Sequence, residues 1–114
     1  MPYINSKVTV KLSDEKKKAL KEGLGKIITD FPGKSETFLM VGFEDEYSLF
    51  FGGKELEYGA FVEVKILGKS TKEIFSNVTK DICELFEKEL NIPGNAIYVK
   101  YEEVEHWGYN GSNF

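Results

Sequence analysis

The sequence predicts an α+β fold in which two β-α-β units share one four-stranded mixed sheet, with two helices on one of its faces. Strand-like and helix-like segments alternate along the 114 residues in the order β-α-β-(β)-β-α-β. Each helical segment ends at an apolar residue followed by Pro-Gly, at positions 31–33 and 92–94. Because a crossover between parallel strands is right-handed by default, both helices are expected on the same side of one sheet.

The first unit occupies the half of the chain from residue 1 to about residue 55. β-branched residues at period two predict a strand over Tyr3–Val10. Ser13 is placed to cap a helix, in which apolar residues recur at four-residue spacing up to the Pro-Gly stop. The apolar run Phe38–Phe43 predicts a buried strand, and Tyr47–Phe51 predicts a second, short strand.

The second unit occupies residues 56–114, and the whole chain is expected to form a single domain. Alternating apolar residues predict a strand over Tyr58–Leu67. Ser70 and Glu73 have the spacing of a capping box and predict the start of the second helix, whose apolar stripe follows. Ile97–Tyr101 predicts another strand, and the aromatic, Gly/Asn-rich segment Trp107–Phe114 predicts a turn or short hairpin.

Composition excludes several classes of function. With 15 basic and 19 acidic residues the formal net charge is −4, which argues against a general nucleic-acid binder. No apolar run approaches the ~20 residues that span a bilayer, and no signal-peptide core precedes the first polar cluster, so we expect a cytoplasmic protein. The single Cys83 excludes an internal disulfide or a CxxC site, and nothing completes a metal site around His106. We expect neither a metal nor a cofactor.

The predicted sheet has one face with nothing left to cover it. Both helices occupy one side, whereas the strands also carry Val, Phe and Tyr toward the other side. Burial of that face in a symmetric oligomer is the natural solution.

Pro2 is the residue with the clearest capacity for catalytic chemistry. Aminopeptidases remove an initiator methionine when the next residue is small, and loss of Met1 would leave a secondary amine on Pro2. An unperturbed α-amino group titrates near 7.7–8.0, and an apolar pocket or a nearby cation lowers that pKa, so the amine could act as a general base. If Met1 is retained, the Pro2 nitrogen is an amide and has no basicity.

Several short motifs, in their order and spacing, make the whole chain resemble one known family. They are Met1-Pro2 opening a strand, Gly33-Lys34, Phe51-Gly52-Gly53, Leu67-Gly68-Lys69, Ile97-Tyr98-Val99 and the closing stretch Trp107–Phe114. The chain resembles the macrophage migration inhibitory factor family of the tautomerase superfamily. The resemblance implies a homotrimer whose three sheets form a central barrel. It also implies a cofactor-free keto–enol tautomerase acting on small aromatic α-keto acids such as phenylpyruvate and on dopachrome-like compounds.

The resemblance also implies roles for individual residues. Pro2 would be the catalytic base, and Lys34 would bind the substrate carboxylate and keep Pro2 uncharged. The backbone amide of Leu67 would hold the substrate, and Tyr98 would reach the pocket from a neighbouring subunit. Three aromatic residues would form its walls: Phe38, Trp107 and Tyr109.

The chain departs from the family pattern at three places. Cysteines present near the third strand of mammalian members are missing over Glu57–Phe61, so thiol–disulfide activity is not expected. Lys100 stands where Asn is common, and could either bind an anion or point into solvent. Trp107 stands where a small apolar residue is frequent, which could narrow the pocket and alter substrate choice.

Other interpretations stay open at this stage. Lysines after a helix end commonly complement the helix dipole, so Lys34 could do only that. Tyr98, Trp107 and Tyr109 could serve packing alone. By analogy with animal and parasite members, the protein could instead be a ligand that leaves cells by a non-classical route and engages a cell-surface receptor. A scaffold with an inactive site is the third alternative.

Overall fold

A computed structural model describes the whole chain, residues 1–114. Its helices and strands are β1 (Pro2–Val8), α1 (Asp14–Ile27), β2 (Met40–Glu44), β3 (Phe50–Phe51), β4 (Lys54–Glu55), β5 (Ala60–Leu67), α2 (Lys72–Leu90), β6 (Ile97–Val104), β7 (Gly108–Tyr109) and β8 (Ser112–Asn113). Short 3₁₀ turns occupy Ile28–Asp30, Glu36–Phe38 and Gly94–Ala96. None of the helices combines the length and the apolar character that a membrane span requires.

The main sheet is the four-stranded mixed sheet that the sequence predicts. Its strand order is β2-β1-β5-β6, with β1 parallel to β2, β5 parallel to β6, and β1 antiparallel to β5. The register pairs Pro2 with Ile66 and Phe61 with Tyr98. Pro2 and Tyr98 therefore lie at opposite ends of the sheet.

The core lies between the helices and one face of the sheet. It is a single cluster of 19 buried apolar residues. Alternate residues of β1 and β5 face inward, as their period of two predicts, and the apolar stripes of α1 and α2 close over them. The largest fully buried side chains include Ile4, Leu20, Leu24, Phe31, Ile82 and Phe86.

Two predicted strands in the first half are wrong in extent. The apolar run Phe38–Phe43 is not a buried strand from its start, because the Ser35 side chain caps a 3₁₀ turn through Phe38, and β2 begins only at Met40. That strand lies at the sheet edge, so its residues are half-buried or exposed. Of Tyr47–Phe51, only the last two residues form a strand, and they pair with β4. Both linking residues of this hairpin are glycines at positive φ, 59° and 80°, as a tight two-residue turn requires.

The capping residue of the second helix is Thr71, not Ser70. The Thr71 hydroxyl accepts a hydrogen bond from the Ile74 amide at 3.2 Å, which is the N-cap bond. Ser70 does not cap the helix; its own amide donates a hydrogen bond of 2.8 Å to the Glu103 carboxylate. The first helix begins as predicted, with Ser13 accepting from the Lys16 amide.

The sheet face opposite the helices is more polar than the sequence suggests. We call it the open face. Tyrosine, phenylalanine and valine side chains do lie on it, but its centre is a network of three lysines and three glutamates, the charge network: Lys7, Lys65, Lys100, Glu44, Glu63 and Glu102. Five ion pairs of 2.9–4.0 Å connect them. Any partner that covers this face therefore meets paired charges rather than a continuous apolar surface.

Candidate active site

A cleft of about 530 Å³ opens beside the first residue of β1. It is lined by residues 1–3, 37–40 and 107–109, together with Lys65. Four separate parts of the chain thus meet here: the amino terminus, the segment that enters β2, the start of the carboxy-terminal hairpin, and β5. The cleft extends from the end of the sheet onto the open face, because Tyr3, Met40 and Lys65 belong to that face.

Pro2 is held at the cleft by strand pairing. Proline is tolerated as the first residue of a strand, since it has no amide hydrogen to contribute. Pro2 is buried and pairs with Ile66, and the Met1 carbonyl accepts a hydrogen bond of 2.9 Å from the Leu67 amide. In the chain that retains Met1, the Pro2 nitrogen is an amide and the Leu67 donor is occupied.

Lys34 lies beside the same backbone. Gly33, at a φ of 77°, turns the chain after the Phe31-Pro32 stop and brings Lys34 toward the end of β5. The Lys34 ammonium donates to the Leu67 carbonyl at 3.1 Å. Burial, and then the positive charge of Lys34, lower the pKa of the Met1 amino group. Lys34 therefore acts electrostatically on the amino terminus, although its side chain does not line the cleft.

The predicted aromatic residues form one wall of the cleft. The rings of Phe38 and Tyr109 meet edge to face with centroids 5.8 Å apart, and Phe114 stacks on Tyr109 at 6.1 Å. A hydrogen bond of 3.0 Å from the Phe114 amide to the Trp107 carbonyl closes this terminal hairpin. Phe38 and Tyr109 are each about half exposed, at 52% and 54%, so their faces are available to a ligand.

Tyr98 does not reach this cleft within one chain. It pairs with Phe61, six residues from Leu67 along β5, which corresponds to roughly 20 Å at about 3.3 Å per residue. There it lines a separate apolar cavity of about 180 Å³, with its ring 5.2 Å from that of Phe51. A role for Tyr98 in the cleft therefore requires a second chain, as the resemblance implies.

Lys100 stays on the open face rather than entering the cleft. Its ammonium lies 2.9 Å from the Glu102 carboxylate, and this hydrogen bond and charge raise the pKa of Lys100. The side chain is 55% exposed, which agrees with the solvent-facing alternative for the isolated chain.

Lys65, Met40 and Tyr3 also line the cleft, although no pattern in the sequence singles them out. Lys65 is the charged side chain that lines the cleft, and its ammonium lies 5.9 Å from the centre of the Tyr3 ring. Alternation along β5 already puts Lys65 on the face away from the core. Only the pairing of β1 with β5, which sets Tyr3 opposite Lys65, shows that Lys65 lies at the cleft.

The remaining reactive side chains do not build a second site. The structure contains no cluster of three or more His, Cys, Asp or Glu residues that could hold a metal ion. Cys83 is half-buried on α2, and burial followed by the nearby Glu87 charge raises the pKa of its thiol, which makes it a weak nucleophile.

Comparisons with known proteins identify the family and agree with the fold. The family model described as macrophage migration inhibitory factor (MIF) matches residues 1–114. The crystal structure of Leishmania major MIF2 is 34% identical, covers 100% of this chain and 97% of its own, and superposes with a TM-score of 0.92. The macrophage migration inhibitory factor-like protein of Entamoeba histolytica is 25% identical over 99% of this chain and 98% of its own, with a TM-score of 0.87.

A shorter match links the chain to a vertebrate protein. The macrophage migration inhibitory factor of Xenopus laevis is 42% identical over 38 residues, which span 32% of this chain and 33% of that protein. The match of the family model over the full length, together with the two-helix, four-stranded mixed sheet, decides the assignment. The chain therefore belongs to the macrophage migration inhibitory factor family, within the tautomerase superfamily.

Proposed function

We propose that this protein, once Met1 has been removed, is a cofactor-free keto–enol tautomerase of phenylpyruvate-type and dopachrome-type substrates, with Pro2 as the general base. The observation that carries the proposal is the position of Pro2 at a cleft, next to the Leu67 amide and within the field of Lys34.

Removal of Met1 would change the site in two ways. The Pro2 nitrogen would become a secondary amine able to accept a proton. The Leu67 amide would also lose the Met1 carbonyl that it contacts at 2.9 Å, and would be free to donate to another oxygen. The Met1 carbonyl thus marks a place where a substrate oxygen can bind.

The pKa of the new amine would be suited to base catalysis. Burial and the Lys34 charge already lower the pKa of the Met1 amino group, and Pro2 lies one residue deeper in the structure. The same two causes favour the neutral form of the proline nitrogen at neutral pH.

The proposed reaction moves a proton from carbon to oxygen and shifts two electron pairs. The Pro2 nitrogen removes a proton from the carbon next to the ketone, and the bond electrons shift to form a carbon–carbon double bond. The carbonyl π electrons move to the ketone oxygen, which becomes the enol hydroxyl by taking up a proton; the protonated Pro2 nitrogen returns its proton to that oxygen or to water, which regenerates the base. The Leu67 amide and the Lys34 ammonium are the donors that would stabilise the substrate oxygens as charge develops. The aromatic wall of Phe38, Trp107 and Tyr109 would hold the phenyl ring.

The proposed assembly is a homotrimer whose sheets surround a central barrel. Its support is the uncovered open face and the location of Tyr98, roughly 20 Å from the cleft of its own chain along β5. In a closed ring the cavity beside Tyr98 and Phe51 would lie against the cleft of the next subunit, and would complete each site at a subunit boundary.

The test of the base compares two forms of the same chain. One form has lost Met1, as intact mass verifies, and the matched control retains Met1 because it is produced without methionine aminopeptidase. We expect enol–keto conversion of phenylpyruvate, followed by ultraviolet absorbance, only with the processed form. Pro2→Gly in the processed form should lower kcat/KM by about 10²–10⁴-fold, the usual contribution of a general base. Equal activity of all three proteins would exclude Pro2 from the mechanism.

The test of the shared site mixes two variants. Pro2→Gly lacks the base, and Tyr98→Ala lacks the residue expected from the neighbouring subunit. Mixed trimers made by refolding the two together contain some subunit boundaries with both residues intact, so activity above that of either variant alone is expected. Light scattering gives the oligomeric state of each sample, and a monomer in solution would contradict the proposed assembly.

The signalling alternative stays a prediction. A cell response that depends on a receptor and persists in Pro2→Gly would support it.

A further inference from the structure

Lys65 is the charged side chain that lines the cleft, and the reaction proposed above does not use it. It lies on β5 directly opposite Tyr3, the residue that follows the proposed base. Lys34 contacts the Leu67 carbonyl at the end of β5 and does not line the cleft, whereas Lys65 lines it from the open face. The two ammonium groups therefore lie at different places relative to Pro2, which pairs with Ile66.

The ammonium of Lys65 takes part in two ion pairs on the open face, and both are long. It lies 3.9 Å from the Glu63 carboxylate and 4.0 Å from that of Glu102, beyond hydrogen-bond distance in both cases. Each of these glutamates has a closer lysine: Lys7 at 3.4 Å from Glu63, and Lys100 at 2.9 Å from Glu102. The three donors of Lys65 are therefore available to a ligand without leaving either glutamate unpaired.

We propose that Lys65 is a second anion-binding group of the cleft. The preferred substrates are then aromatic α-keto acids that carry a second negative group on or near the ring. This inference rests on the proposed function for the reaction, but the second anion contact itself is a matter of binding. One carboxylate would meet Lys34 and the Leu67 amide, the ring would lie against the aromatic wall, and the second anion would meet Lys65.

The chain supplies its own probe of binding. Trp107 is the only tryptophan and it lines the cleft, so its fluorescence reports an occupied site. Two ligands that cannot enolise form a matched pair: 3-phenylpropionate, with one carboxylate, and 3-(4-carboxyphenyl)propionate, with the same skeleton and a second carboxylate. We expect the processed protein to bind the dianion about tenfold more tightly, a preference that declines as salt screens the charges.

Three variants separate this role from a purely structural one. Lys65→Gln should remove the preference for the dianion and leave the affinity for the monoanion within about twofold. Lys65→Arg should restore the preference. Lys7→Gln is the matched control, because Lys7 also lies between two glutamates of the open face but does not line the cleft. An equal affinity for both ligands, or a preference that survives in Lys65→Gln, would overturn the inference, as would failure of either ligand to bind.

Turnover distinguishes failure of this inference from failure of the proposed function. Phenylpyruvate and 4-carboxyphenylpyruvate differ by the same carboxylate, and we expect Lys65→Gln to raise KM only for the latter. Turnover of both substrates with equal KM contradicts the second anion contact and leaves the tautomerase proposal intact. Absence of turnover, combined with a preference for the dianion that Lys65→Gln abolishes, contradicts the tautomerase proposal and supports the anion contact.

Discussion

Two carboxyl groups meet where the helices pack together, Asp30 at the end of the 3₁₀ turn after α1 and Asp81 on α2. The Oδ2 atom of Asp30 is buried and finds no donor in the chain when both groups are ionised. A hydrogen bond shared with Asp81, followed by burial and by the negative charge of Asp81, raises the pKa of Asp30 to about 6. One proton held between the two carboxyls satisfies both, and it is lost near neutral pH.

The raised pKa means that the Asp30 carboxyl contributes less to stability at pH 7 than in mild acid. Below about pH 4 the Asp30 carboxyl is protonated in the folded and the unfolded chain alike, so it imposes no penalty. As the pH rises from about 4 to 6, the folded chain binds the proton that the unfolded chain has released, and stability falls. A pKa near 6 against about 3.9, at about 1.4 kcal/mol per unit, gives an upper limit of about 3 kcal/mol. Because the carboxyl is only partly buried, screening by solvent reduces this to about 1–2 kcal/mol.

Asp30→Asn should remove that penalty. The amide is neutral at every pH and can donate to Asp81, so the variant should exceed the parent by about 1–2 kcal/mol at pH 7 and match it near pH 4. Urea unfolding at a single protein concentration, repeated across this pH range, measures the difference. Asp81→Asn should give a similar gain, and the double variant should add little because both changes relieve the same repulsion. A gain that is equal at pH 4 and pH 7, or a loss in both single variants, would refute the shared proton.

Four further substitutions test the packing and capping of the fold, each measured by urea unfolding. Thr71→Ala should cost about 1 kcal/mol by removing the N-cap of α2, whereas Ser70→Ala should be nearly neutral, since the Ser70 hydroxyl makes no hydrogen bond. Phe86→Ala should cost about 3–5 kcal/mol because the ring is fully buried, and a loss below about 1 kcal/mol would contradict its place in the core. Tyr101→Phe should cost about 1 kcal/mol by removing a hydroxyl bonded to Thr79 at 2.7 Å. In the parent protein, burial raises the pKa of Tyr101 to about 12, so its absorbance should titrate after that of exposed tyrosines.

The fold could be predicted from the sequence wherever periodicity and capping agreed. Ser13 caps α1 just before its regular apolar stripe, as predicted. The alternation of apolar and polar residues over β5 matches the alternation of buried and partly exposed side chains along that strand. Prediction failed where a local hydrogen bond competed with an apolar run. Ser35 holds the chain in a 3₁₀ turn through Phe38, so that ring leaves the strand and joins the cleft. A short cap therefore determined the position of a residue that apolar character alone had assigned to the sheet.

The candidate site was only partly predictable because its residues differ in what positions them. Pro2 can be identified from the sequence alone, because its position after Met1 is enough to predict that removal of Met1 leaves a secondary amine. Lys65 becomes a cleft residue through the register of β5 on β1, a pairing across some sixty residues that no local pattern encodes. A role for Tyr98 in the site would require contacts with a second chain, since its own fold holds it at the other end of β5.

The charge network of the open face constrains the assembly that is proposed to complete the site. An apolar face would favour dry contact between sheets, whereas three lysines paired with three glutamates resist removal from water. Since three lysines balance three glutamates within each open face, three such faces can surround a common axis without net repulsion between these groups. We therefore expect a hydrated centre, with the apolar contacts at the sheet ends, where Met40 and Phe50 are 69% and 66% exposed. Added salt should then weaken the trimer less than substitution of Phe50 by a charged residue, and sedimentation at several salt concentrations compares the two effects.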